Sequence, residues 1–263
     1  VPGNDDGIDA EAMRIDRITF DRPVIDLVAL PLAFVLAILL TSTAFGRLLV
    51  FPVQIGFHEL GHAIPSWLSS RAALPLPCGI TFTREEPTFF TGASFVFLLA
   101  VLAYAGHREK RPYAVAVAGA LFAAWAFFTL VLGAERTREI MLLGGIAGEL
   151  VLSAFVVASF YFRAPDRLRW DFFRIVALPL ATVSFVGTTR LWLEIAGGRA
   201  GMPMGSLFGS HGDGSGDLDR LIAEFDWTES GLVRFYLAIA AATGLAMFTL
   251  YGVFGLRAFR RTR

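Results

Sequence analysis

The chain has 263 residues, room for one large domain or two small ones, and 55% of them are hydrophobic against 17% charged. A soluble domain carries about 25% charged residues, and 25 Phe are more than a soluble core needs, so lipid is the expected solvent. The formal net charge is zero, which leaves no basic field to draw in nucleic acid, and the lone cysteine, Cys78, excludes an intrachain disulfide framework and a cysteine zinc cluster.

In chain order, residues 1–23 form a polar, acidic segment unlike the start of a signal peptide. The chain opens on Val1, so a native start upstream of it, with or without a targeting segment, stays open. A spanning helix needs about 20 mostly apolar residues. Residues 24–257 offer seven such stretches: Val24–Ser42, Phe45–Leu68, Phe89–Ala105, Tyr113–Gly133, Ile140–Phe162, Phe172–Ile195 and Leu232–Leu256. The second is the least lipid-like, because it holds Pro52, His58, Glu59, His62 and Pro65. Pro65 removes a hydrogen bond from a straight helix, so a kink or a helix end is expected just past His62.

The expected fold is an all-α polytopic integral membrane protein of six to seven transmembrane helices, with the histidine pair on the second. Arg71–Thr88, rich in Pro and Gly, reads as a loop or short hairpin after it. The polar loop 196–230 starts with seven scattered glycines and should be irregular there, whereas Asp217–Phe225 reads as a short amphipathic helix. Residues 258–263 form a basic tail. Arginines divide almost evenly between the two sides and set no orientation. With seven spans, the hairpin segment and the polar loop fall on the same side.

The chemistry concentrates at His58-Glu59-Leu60-Gly61-His62. Residues at i and i+4 share a helix face, so two imidazoles there can grip one zinc ion. Glu59, beside the first histidine, is placed to take a proton from water as a general base. An ionisable side chain is expensive in an apolar segment, which makes Glu59 a functional candidate in its own right. Catalytic zinc usually has three protein ligands. The candidates for the third are Asp217, Asp213 and Glu149; Glu149 lies in an apolar span among Gly144, Gly145 and Gly148 and needs a partner there. Asp217 also suits a helix N-cap. His211 reads as a loop histidine that could line the site, and His107 as a solvated one.

At these residues the chain resembles the site-2 protease family of intramembrane zinc metalloproteases. Phe57-His58-Glu59-Leu60-Gly61-His62-Ala63 matches the family's H-E-L-G-H-A form, and Leu74-Pro75-Leu76-Pro77-Cys78-Gly79-Ile80-Thr81-Phe82 resembles the sheet segment that follows it. Gly145-Ile146-Ala147-Gly148-Glu149 sits where the family has G-P-x-x-N, with Ile146 for the proline and Glu149 for the asparagine. The resemblance runs from about residue 45 to 225. The family's L-D-G-G-R segment, whose aspartate is the third ligand, has no clean copy. Aligning Asp217 with that aspartate puts Arg220 and Leu221 on the pattern, whereas Asp213 recovers only its Asp-Gly pair.

The resemblance implies a multi-pass protein of the cell membrane that uses Zn2+, held by His58, His62 and Asp217, to hydrolyse a peptide bond in or near a transmembrane segment. Its implied substrate is a single-span membrane protein, and its implied partners include lipid but no nucleic acid. Two other readings stay beside it: a zinc protease of the glutamate-ligand type, with Glu149 as third ligand, and a non-catalytic metal-binding or transport protein. Glu59 speaks against the last, since binding alone needs no base.

Overall fold

The structure is a computed structural model and describes residues 23–162, 173–205 and 214–262. Helix α1, Pro23–Thr41, turns small residues such as Ala33 and Ala37 inward and leaves Leu32, Leu36 and Leu39 outward, as a lipid-facing helix should. It stops at Ser42, and Thr43 caps the next helix by accepting the Gly46 N–H at 3.0 Å. Helix α2, Ala44–Leu68, carries the histidine pair. Pro65 does not end the helix as its ring would favour; the helix runs on to Leu68 before Ser69 closes it.

The segment that follows is a hairpin: β1, Arg71–Leu76, pairs antiparallel with β2, Ile80–Pro87, with Leu74 opposite Phe82 and Pro75 opposite Thr81. Its tip turns at Gly79, whose φ of 89° is open to glycine and strained for other residues. The hairpin lies along α2, where Trp67 Nε1–H donates to the Ala73 carbonyl. Helices α3, Phe89–Arg108, and α4, Pro112–Leu130, then form a second, helical hairpin, and His107 is exposed near its turn.

Helix α5, Ala134–Tyr161, begins six residues before the apolar stretch Ile140–Phe162, because Arg136 and Glu139 pair within its first turns and extend the helix past the lipid-like part. Helix α6 spans Phe173–Ala196, α7 Asp217–Phe225 and α8 Glu229–Thr262. The helix of α8 therefore continues through residues 258–262 of the basic tail.

The chain is an all-α polytopic membrane protein, and among the described residues six helices are long and apolar enough to cross a bilayer: α1, α3, α4, α5, α6 and α8. Helix α2 matches them in length, but Gln54, His58, Glu59 and His62 lower its apolar content, and it is not among the six. It is packed mainly against α5. Gly61 of α2 meets Gly144 and Gly148 of α5 so closely that a Cβ on Gly61 would lie 2.1 Å from the Gly144 carbonyl oxygen. Without a hydrophobic drive between helices in lipid, such close small-residue contacts supply the association by van der Waals packing.

The hairpin, the start of α5 and helix α7 line one cavity; the ion pair of Arg138 with Glu224 ties α5 to α7, and Trp227, just after α7, donates to Glu139. Helix α7 is amphipathic with Leu218, Leu221, Ile222 and Phe225 on one face, the i, i+3, i+4, i+7 pattern. Leu218 and Leu221 are buried against Leu142, Trp192 and Tyr236. Each such leucine stabilises by roughly 1.5–3 kcal/mol where it leaves water, enough to seat a nine-residue helix that would not persist alone.

Candidate metal centre

His58 and His62 project from one face of α2, as their spacing requires, and their ring centroids lie 4.8 Å apart. Asp217, the first residue of α7, reaches both: its Oδ2 is 3.3 Å from His58 Nε2 and 3.0 Å from His62 Nε2. Burial of Leu218 and Leu221 fixes that helix, so the residue just before them is delivered to the imidazoles. Gly216, not Asp217, occupies the N-cap position, and the Asp217 carboxylate points to the histidines instead of its own helix.

The outer nitrogens of both rings are occupied. His62 Nδ1 lies 2.6 Å from the Met141 carbonyl, which can only accept, so Nδ1 carries a proton and Nε2 is the ring atom left to bind a metal. His58 Nδ1 lies 2.8 Å from Glu149 Oε1, and Glu149 Oε2 in turn takes a short hydrogen bond from the Thr188 hydroxyl. Glu149 thus meets His58 on the ring edge away from Asp217. Among the described residues, His58, His62 and Asp217 are the group whose potential ligand atoms converge within 4.8 Å, and Glu149 is outside it. The glutamate-ligand arrangement is therefore not the one this geometry favours. Asp213 and His211 lie outside the described residues.

The donor set fits a metal ion. Two neutral imidazole nitrogens and one carboxylate oxygen are a common ligand set for divalent zinc, and space exists beside them because residue 145 has no side chain. A Cβ on Gly145 would sit 2.5 Å from both Nε2 atoms, so a side chain there would crowd the two imidazole ligands. Gly145 was legible in the sequence only as a small residue near Glu149; that it faces the histidines is a tertiary fact.

Glu59 is buried, with 6% of its surface exposed, beside the pair. Thr81 of β2 anchors it: its hydroxyl is 3.1 Å from the Glu59 carbonyl oxygen and makes a short contact with the Glu59 carboxylate. His58, Glu59, His62, Thr81, Glu149 and Asp217 all line one open cavity of about 1240 Å³ that runs along the hairpin. Arg220 makes an ion pair within α7 to Glu224 at 3.2 Å and leaves the metal group to Asp217.

Thr188 and Thr81 were not singled out from the sequence. Thr188 stands in the polar run Gly187-Thr188-Thr189 inside an apolar helix, which is a weak signal; Thr81 stands in the quoted segment Leu74–Phe82, with nothing there to single it out from its neighbours. No family model, curated protein or solved structure matches the chain, so its chemistry rests on the residues themselves.

Proposed function

We propose that this chain is an intramembrane zinc metalloprotease of the cell membrane, similar to the site-2 proteases, that cleaves a peptide bond in or near the membrane span of a single-span protein. The observation that carries this reading is the convergence of His58, His62 and Asp217, with Gly145 leaving room beside the two imidazoles and Glu59 buried in the same cavity. Zinc held by those three residues would supply a Lewis acid that brings the pKa of a water toward 7 and polarises a carbonyl.

The remaining work belongs to the chain. Glu59 accepts the proton of the attacking water and returns it to the leaving amine. Its hydrogen bond to Thr81 keeps the carboxylate turned toward the hairpin side of the cavity. A peptide bond inside a membrane helix is already hydrogen-bonded, so a substrate has to unwind before attack. Among the described residues the hairpin has two strands, and β2 is mostly exposed; an unwound segment can add along β2 as a further strand.

The test is zinc stoichiometry by elemental analysis on the full chain in detergent, with cleavage of a quenched-fluorescence peptide library. Wild type and Glu59→Gln should each hold one zinc, while Glu59→Gln loses about 10²–10⁴ of the rate. A wild type without zinc, or Glu59→Gln cleaving at the normal rate, refutes the proposal. Zinc bound with no cleavage by any variant would favour the non-catalytic metal-binding reading.

A further inference from the structure

The charge in the apolar interior that the site-2 resemblance does not explain is Glu149, which stands on α5 where that family has an asparagine. Its side chain is only 12% exposed. An ionised carboxylate at that depth is costly unless both oxygens are paired, and both are: Oε1 with His58 Nδ1 at 2.8 Å, Oε2 with the Thr188 hydroxyl. Thr188 is itself 2% exposed. Gln54 Nε2 approaches Thr188 Oγ1 at 3.5 Å, and it has room because residue 187 is glycine; a Cβ there would lie 2.5 Å from Gln54 Nε2.

The donors in this relay converge on Glu149. Gln54 N–H points to Thr188, the Thr188 hydroxyl gives its single proton to Glu149, and a carboxylate that takes that proton's hydrogen bond can accept a second one from His58 Nδ1–H. The circuit leaves α2 at Gln54, crosses α6 and α5, and returns to α2 one turn on, at His58. His62 needs no such device, because a fixed backbone carbonyl, that of Met141, holds its Nδ1. The two histidines are thus oriented by different means, one by the backbone and the other by a side-chain relay.

We propose that Glu149 and Thr188 are positioning residues that hold His58 in the Nδ1–H tautomer with Nε2 turned to Asp217, so that α6, which supplies no ligand, sets the metal affinity of the site. The proposal rests on the metal reading above but concerns residues that reading does not use. Partners that orient a ligating histidine typically account for about 10–100-fold in metal affinity. Both side chains are engaged with protein partners around His58, so the effect is expected in metal binding before it is expected in turnover.

The experiment measures zinc affinity by chelator competition, and the visible spectrum of the Co2+-loaded protein, on the full chain in nanodiscs. Glu149→Ala is expected to weaken zinc about 10–100-fold and to change the Co2+ bands; Thr188→Val should lose about tenfold, at the low end of that range. Thr188→Ser, which keeps the hydroxyl, should restore wild-type values. Thr182→Val is the structural control: Thr182 is equally buried on α6 but bonds its own helix at the Leu178 and Pro179 carbonyls, and its loss should leave both readouts unchanged. If Glu149→Ala does not fold, Glu149→Gln, nearly the same shape, should show a loss of at least tenfold. Wild-type affinity and an unaltered Co2+ spectrum in Glu149→Gln and Thr188→Val overturn the proposal while leaving the metal site standing. Absence of zinc from the wild type overturns both.

Discussion

Helices α2, α5 and α6 form the inside of this protein, and the α3–α4 hairpin its outside. Of the most apolar stretch in each helix, 44% is buried in α5 and in α6, against 22% in α3 and 11% in α4. The inner region packs glycine on glycine, Gly61 to Gly144 and Gly148, whereas Gly119 of α4 has open space where a side chain would stand. The inner region also holds the polar chemistry, His58, His62, Glu149 and Thr188, each with a partner. The outer hairpin shows Phe97, Leu98, Phe122 and Phe127 to the surroundings. The contrast teaches that ionisable groups in a lipid environment are kept where backbones come close enough for every donor and acceptor to be met.

That contrast can be broken or sharpened by substitution. The largest effect is expected from the ligands: Asp217→Ala or His62→Ala should lower zinc affinity by more than the about 100-fold upper range seen for outer partners, read by chelator competition. Gly145→Ala comes next, since its Cβ falls 2.5 Å from both Nε2 atoms. It should cost most of the zinc affinity while the metal-free melting temperature stays near wild type, because its nearest obstacles are imidazole tips rather than backbone.

Gly61→Val drives side-chain atoms into the α5 backbone, 2.1 Å from the Gly144 carbonyl oxygen at its Cβ alone. Overpacking of this kind destabilises by about 1–3 kcal/mol or more, so the metal-free protein should melt earlier, and zinc should be lost with the displaced histidines. Arg138→Ala breaks a half-exposed ion pair to Glu224, 2.7 Å long, that ties the Asp217 helix to α5. Exposed pairs contribute at most about 1 kcal/mol, so a small fall in zinc affinity with an unchanged melting temperature is the expected result. The smallest effect belongs to the outer hairpin: Gly119→Ala should be neutral, or raise stability by up to about 1 kcal/mol through helix propensity. A large loss there would mean the outer hairpin is packed after all.

Much of this protein was legible from its residues alone. Apolar runs of about 20 residues announce membrane helices because lipid cannot satisfy a bare backbone. The four-residue spacing of His58 and His62 brings their side chains together on any helix, and the 3.6-residue period of apolar positions in Asp217–Phe225 sets that short helix and the face it buries. Its start at Asp217 was therefore readable, yet the role of that carboxylate as an N-cap was not what the fold selected, since Gly216 took the cap and the imidazoles took the carboxylate. Glu149 shows the other limit. The sequence says only that a buried carboxylate needs a partner, and it offers several. Which one it meets depends on how α5 lies across α2 and α6, a relation set by contacts between residues 91 and 39 positions apart along the chain. No local propensity encodes such a distance. It is decided when Gly61, Gly144 and Gly148 let two backbones touch, and that closeness puts Glu149 on His58 and Gly145 beside the open centre of the site.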